Sequence, residues 1–134
     1  MRWGLIAILG SWGVVMGLLT SLVGIPPWLE PLLWFGAYAV WIPVILWRRA
    51  PAFQTALAAS LLSGALVGPV QAALLPYYIA RNPWYASMMN PDPTQARMAI
   101  VAQGIVAGFI FGLGVSGVAW TAANILDREP PTPS

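Results

Sequence analysis

Few side chains in this sequence could do chemistry. The acids are Glu30, Asp92, Asp127 and Glu129, and all six basic residues are arginines. Cysteine is absent, so there is no disulfide and no thiolate. Histidine is absent too, which removes the usual haem, zinc and pH-switch ligand. Ser11, Ser60, Ser63, Ser87 and Ser116 have no His, Lys or Cys to activate them as nucleophiles. Asp92 stands far in sequence from Asp127 and Glu129, so no metal-ligand spacing is present. The expectation is a protein that is not an enzyme, with no catalytic residue, no metal site and no cofactor. Among the polar side chains inside or beside apolar stretches, Glu30, Gln71 and Gln103 are the candidates for a role.

The elements that must hold them are set by composition. Of 134 residues, 59% are apolar and 7% charged. A soluble surface needs about a quarter charged residues, so this composition excludes a soluble domain. The net charge of +2 is too small to suggest nucleic acid. The charges are also segregated: Trp3 to Leu29, Pro31 to Trp47, Ala50 to Ala80 and Met98 to Leu126 carry none. About 20 apolar residues cross a hydrocarbon core. The pattern predicts one all-α integral membrane domain over residues 1–126, a bundle of four spanning helices at about 3–24, 28–47, 52–76 and 94–124. The remainder, 127–134, reads "DREPPTPS", a polar, proline-rich tail expected to be disordered. The first run is longer than a signal-peptide core and "TSLVGIPP" lacks a small-x-small cleavage pattern, so it reads as a retained helix. Arg2, Arg48, Arg49 and Arg128 fall on one side and Arg81 and Arg97 on the other, which favours both termini inside.

Small residues recur every fourth position. Gly13, Gly17 and Ser21 mark one face of the first helix. The third carries Ala52, Ala56, Ser60, Gly64, Gly68 and Ala72, and the fourth Gly104, Gly108, Gly112 and Ser116. In lipid, helix association rests on close backbone approach, so Gly64, Gly68, Gly104, Gly108 and Gly112 are expected to be helix-packing positions. They predict that the third and fourth helices meet most closely, with a second copy of the chain as the alternative partner for one stripe. Gln71 and Gln103 lie at similar depth on that pair. A mutual hydrogen bond as interhelical glue is the first reading, and a polar lining for a solute path the second. Glu30 opens the second helix, where its charge suits the helix dipole. An Arg81 or Arg97 partner across the outer face would contribute little. Pro43 should bend that helix near its end.

The stretch "LLPYYIARNPWYASMMNPDP" is the longest that is not a continuous apolar helix. Asn82-Pro83 reads as an N-cap before a short helix to about Met89. Asp92 and Gln95 read as a capping box for the last helix. Tyr77, Tyr78, Trp84 and Tyr85 suit an interfacial segment in the outer headgroup layer. The bland reading is a membrane-resting connector; the sharper ones are a lid or a surface for a partner.

The half from Arg49 to Leu126 resembles an uncharacterised family of small bacterial four-helix membrane proteins, known only as a domain of unknown function. The residues that carry the resemblance are Arg49, Phe53, "ALAASLLSGALVG", Tyr77-Tyr78, Asn82-Pro83 and "GIVAGFIFGLG". The resemblance implies a four-helix fold in a bacterial cytoplasmic membrane and no established activity. The chain also has the size of small multidrug transporters, but their first helix carries a membrane-embedded glutamate and here Ser11, Met16 and Thr20 offer no substitute. The functional expectation is a non-catalytic accessory, assembly or partner-binding subunit. Its expected partners are the lipid bilayer, another membrane protein or a second copy of itself. The alternative is a small oligomeric channel or transporter for an ion or small solute.

Overall fold

The computed structural model describes residues 2–127. The expected tail therefore lies outside the described residues, apart from Asp127. Four helices are long and apolar enough to cross a membrane: α1 (Trp3–Val23), α2 (Leu29–Trp47), α3 (Ala52–Ala73) and α6 (Pro93–Leu126). Two short helices, α4 (Leu75–Arg81) and α5 (Pro83–Ala86), lie between α3 and α6. No strand occurs among the described residues. This end of the molecule is called the loop face below, and the end carrying Arg2 and Arg48-Arg49 the terminal face.

α3 is the centre of the bundle, with α6 along one side and α1 along another. Backbone meets backbone at the α3–α6 seam. A Cβ on Gly68 would lie 2.8 Å from Val101 Cα, and one on Gly108 2.8 Å from the Ser60 carbonyl. Gly64 and Gly104 face each other's carbonyls, and Gly112 packs on Ser60 and Leu57. The α1–α3 seam uses the same device. Gly13 lies against the Ser63 backbone, Gly17 against Val70, and Ser63 Oγ donates to the Gly10 carbonyl at 2.9 Å. α2 is the least enclosed of the four spanning helices. It packs mainly through Tyr38, Trp41 and Ile45, which join Leu9, Ala56, Ala59 and Ala119 in a core near the terminal face.

Two local features depart from sequence expectation. α1 ends in a π-helical turn, Leu19–Val23, closed by Gly24 N–H on the Leu19 carbonyl at 2.9 Å. Gly24 itself has φ +77, with Arg81 Cβ 2.9 Å from where a side chain would start. Glycine is the residue that takes this backbone without strain. The third helix stops at Ala73 rather than at 76, and α4 starts afresh. Pro76 has no N–H for the Ala72 carbonyl four residues back. Arg97 Nε donates to that carbonyl instead, at 3.2 Å. Arg97 is thus engaged at the end of α3 rather than with Glu30.

Two capping expectations are corrected. Asn82 makes no side-chain cap. It is buried, and its Nδ2 donates to the Tyr78 carbonyl at 2.8 Å and the Thr20 carbonyl at 2.9 Å. Asp92 does cap α6, its Oδ1 accepting from Thr94 N–H at 2.8 Å. Gln95 does not complete a box, because its Oε1 accepts from Asn90 Nδ2 at 2.6 Å while Asn90 Oδ1 takes the Asp92 N–H.

Candidate functional site: a cavity between the second, third and last helices

Where glycine keeps α3 and α6 close, Gly64, Gly104 and Gly108 add no side chain to the space between these helices and α2. The space left is a cavity of about 330 Å³. On α2 the lining residues are Glu30, Trp34 and Tyr38, with Pro31 and Phe35. Spacing of four puts the first three on one face. α3 contributes Ser60, Gly64, Val67 and Gln71, and α6 contributes Ile100, Gln103, Gly104, Ala107, Gly108 and Phe111. Tyr78, Trp84 and Tyr85 close over it from the loop face. From Gln71 to Ser60 is eleven positions of α3. At 1.5 Å per residue that is ~16 Å, about half of a hydrocarbon core.

The floor is polar but tied. Ser60 Oγ donates to the Gly108 carbonyl at 3.0 Å, and the Tyr38 hydroxyl lies 3.3 Å from Ser60 Oγ. Below it the Tyr38 and Trp41 rings meet edge-on at 5.2 Å, over a fully buried Ile45. The cavity therefore ends blindly above the terminal-face core.

The cover is a cluster of mutually tilted rings. Trp84 and Tyr85 lie 4.3 Å apart by centroid, and Tyr78 and Tyr85 5.9 Å. Gln103 Nε2 donates to the Tyr85 hydroxyl at 3.0 Å, pinning the cover to α6. Burial pushes the Tyr78 phenol above its ordinary value of 10.0, and Tyr85 and Glu30 add to the effect through their charge. The Asn82 bond to Thr20 anchors the start of α5 to the π turn. A π turn places a backbone carbonyl where a regular helix does not, and such turns concentrate at functional sites.

The two glutamines line the same cavity but do not bond each other. Gln71 Nε2 donates to Thr20 Oγ1 at 2.8 Å, and Thr20 Oγ1 donates on to the Met16 carbonyl at 2.8 Å. The mutual pair expected from sequence is replaced because the π turn of α1 brings a hydroxyl within reach of Gln71, and the cover brings one to Gln103. Of the four aromatic residues expected on an interfacial surface, Tyr77 is 60% exposed, Trp84 43%, and Tyr78 only 5%. Tyr78 packs with Leu75, Ala96 and Ile100 against the first turns of α6. Tyr78, Trp84 and Tyr85 of the loop thus line the cavity.

Sequence reasoning missed Glu30, Trp34 and Tyr38 as lining residues, and Thr20 and Asn82 as the fastening of the loop. The four-residue recurrence of Glu30, Trp34 and Tyr38 was the available signal. Glu30 is the one carboxyl on the lining, and no arginine lines it. It sits in the first turn of α2, whose dipole favours the anion there. The Trp34 indole, one turn further on, faces it. The site combines one acid, two carboxamides and a wall of rings, groups able to hold a solute by hydrogen bonds, charge and ring contact.

No family model matches the chain, and no curated protein or solved structure matches it.

Proposed function

We propose that this chain is a non-catalytic membrane protein that takes a small solute into the cavity between α2, α3 and α6 from the loop face. The observation that carries the reading is the half-depth cavity with polar groups at its mouth and a closed floor. Gln71 and Gln103 each make one bond, to Thr20 and Tyr85, so with the Glu30 carboxyl they keep hydrogen-bonding capacity at the mouth for an occupant or water. A blind cavity supports a binding or alternating-access role over an open pore. α2, the loosest helix, is the element whose movement would open the floor. On the arginine distribution, the loop face is outside and both termini are inside. Trp84 and Met88, exposed on the cover, would then rest in the outer headgroup layer. By its resemblance to the small bacterial family, the setting is a bacterial cytoplasmic membrane.

A partner-binding subunit is the second reading. It is favoured by Gly36, Gly114 and Gly117, where a side chain would meet nothing, so another helix or a second copy could approach.

Water access tests the first reading. A thiol reacts with a water-soluble reagent only where water reaches it. In reconstituted vesicles, Ala107→Cys on the cavity wall should be alkylated, while Ile110→Cys, 60% exposed on the outer surface of α6, should not. Equal silence at both positions would remove the solute-binding reading.

A further inference from the structure

A second space adjoins the cavity. It is an apolar groove of about 400 Å³ between α2 and α6. Ala39 and Ile42 line it on one side, Gly114, Val115 and Val118 on the other. Phe35, Tyr38 and Phe111 belong to both spaces. Phe35 is 59% exposed and Phe111 52% exposed, so the junction opens sideways between the helices. The groove is where the weak packing of α2 leaves a gap: Gly114 has open space where a side chain would start.

Polarity runs in one direction along this pair of spaces. Glu30 stands at the loop end, and Ile42 is twelve positions deeper on the same helix. At 1.5 Å per residue that is ~18 Å. An amphiphile in the loop-side leaflet has the same layout, with its head at the surface and its tail pointing to mid-bilayer. The head end carries the Glu30 carboxyl, with Trp34, Tyr78, Trp84 and Tyr85 on the same lining and no arginine there to compete. Aromatic faces beside a carboxylate attract a weakly hydrated cation, most strongly an alkylammonium.

We infer that the occupant is a single-chain cationic amphiphile, its ammonium head held by Glu30 and the ring wall and its alkyl tail lying in the α2–α6 groove. This rests on the solute-binding reading above and names the class of solute. The head reaches Glu30 at the loop face, and the tail passes sideways into the groove between Phe35 and Phe111. Anionic amphiphiles are turned away by the uncompensated carboxylate, and a short-chain cation loses the groove.

The test is uptake of labelled dodecyltrimethylammonium, below its micelle concentration, by the protein in zwitterionic lipid nanodiscs, with empty nanodiscs as reference. Saturable uptake above the reference is expected. Dodecyl sulfate should fail to compete, and tetramethylammonium should compete about tenfold more weakly or worse. Glu30→Gln should weaken binding about tenfold, while Glu30→Asp, which keeps the charge, retains most of it. Gly114→Leu, which fills open space, should weaken binding of the dodecyl compound and leave that of tetramethylammonium unchanged. Melting curves of each variant confirm that the fold persists. The inference is overturned by absence of saturable uptake, by equal competition from dodecyl sulfate, or by indifference to both Glu30→Gln and Gly114→Leu. Alkylation of Ala107→Cys reports the hydrated cavity independently. A labelled Ala107→Cys with no amphiphile uptake would sink this inference alone, whereas an inert Ala107→Cys would sink the reading beneath it.

Discussion

At the scale of single residues, glycines divide into two kinds, those packed against a neighbouring backbone and those facing open space. A Cβ on Gly64 would lie 2.8 Å from Gly108 Cα and closer still to the Gly104 carbonyl. Backbone atoms cannot swing aside as a side-chain tip can. Gly64→Ala should therefore lower stability by about 1–3 kcal/mol, as overpacking does. Gly114→Ala meets open space and should leave the melting temperature in detergent unchanged or slightly higher. Identical melting curves for the two variants would contradict the closed α3–α6 seam. Tyr78 gives a second residue-scale expectation. Its phenol is held above its ordinary value of 10.0 by burial. The folded state keeps the proton in a range where the unfolded chain releases it. The stabilisation is therefore complete below pH ~10 and is lost as pH rises from there through the folded value. Melting temperature should fall above pH ~10, and Tyr78→Phe should flatten part of that fall. The glycine spacing was readable because it depends on one helix alone. The setting of Glu30 was not, because its neighbours include rings from α4 and α5, more than forty positions away.

Elements show the same division between what one segment decides and what two decide together. The four apolar runs locate the four long helices within a few residues, since chain length against bilayer thickness is a local matter. The π turn at Leu19–Val23 carries no comparable signal; no proline or charge marks it. It is stabilised by partners from elsewhere, Gln71 on Thr20 Oγ1 and Asn82 on the Thr20 carbonyl. The end of α3 follows from Pro76, but its repair by Arg97 depends on α6. The cover formed by α4 and α5 is held to α6 through Tyr85 and Gln103. Tyr85→Phe removes that bond and leaves the rings in place. In an Ala107→Cys background it should raise the alkylation rate several-fold. An unchanged rate would mean that the cover does not limit access.

For the molecule as a whole, the environment is the strongest inference from sequence. Exposed Ile8, Phe35, Val40, Ile110, Val118 and Trp120 cover the sides of the bundle, a surface suited to hydrocarbon and costly in water. The proposed orientation rests on arginine placement and has its own check. Ser87 is exposed on the loop face. Ser87→Cys should react with a membrane-impermeant thiol reagent on intact cells, and labelling only after lysis would invert the molecule. The cavity was beyond sequence reading because it is a gap, defined by what three helices leave unfilled. That gap exists because Gly64, Gly104 and Gly108 both close the α3–α6 seam and line the empty space. Descendants of this chain consequently have little freedom at those three positions: a larger residue there would wedge the scaffold apart while it crowded the chamber. On the proposed solute-binding reading, divergence in preference would be concentrated at Trp34, Phe35, Val67, Ile100 and Phe111, which shape the chamber without forming the glycine seam.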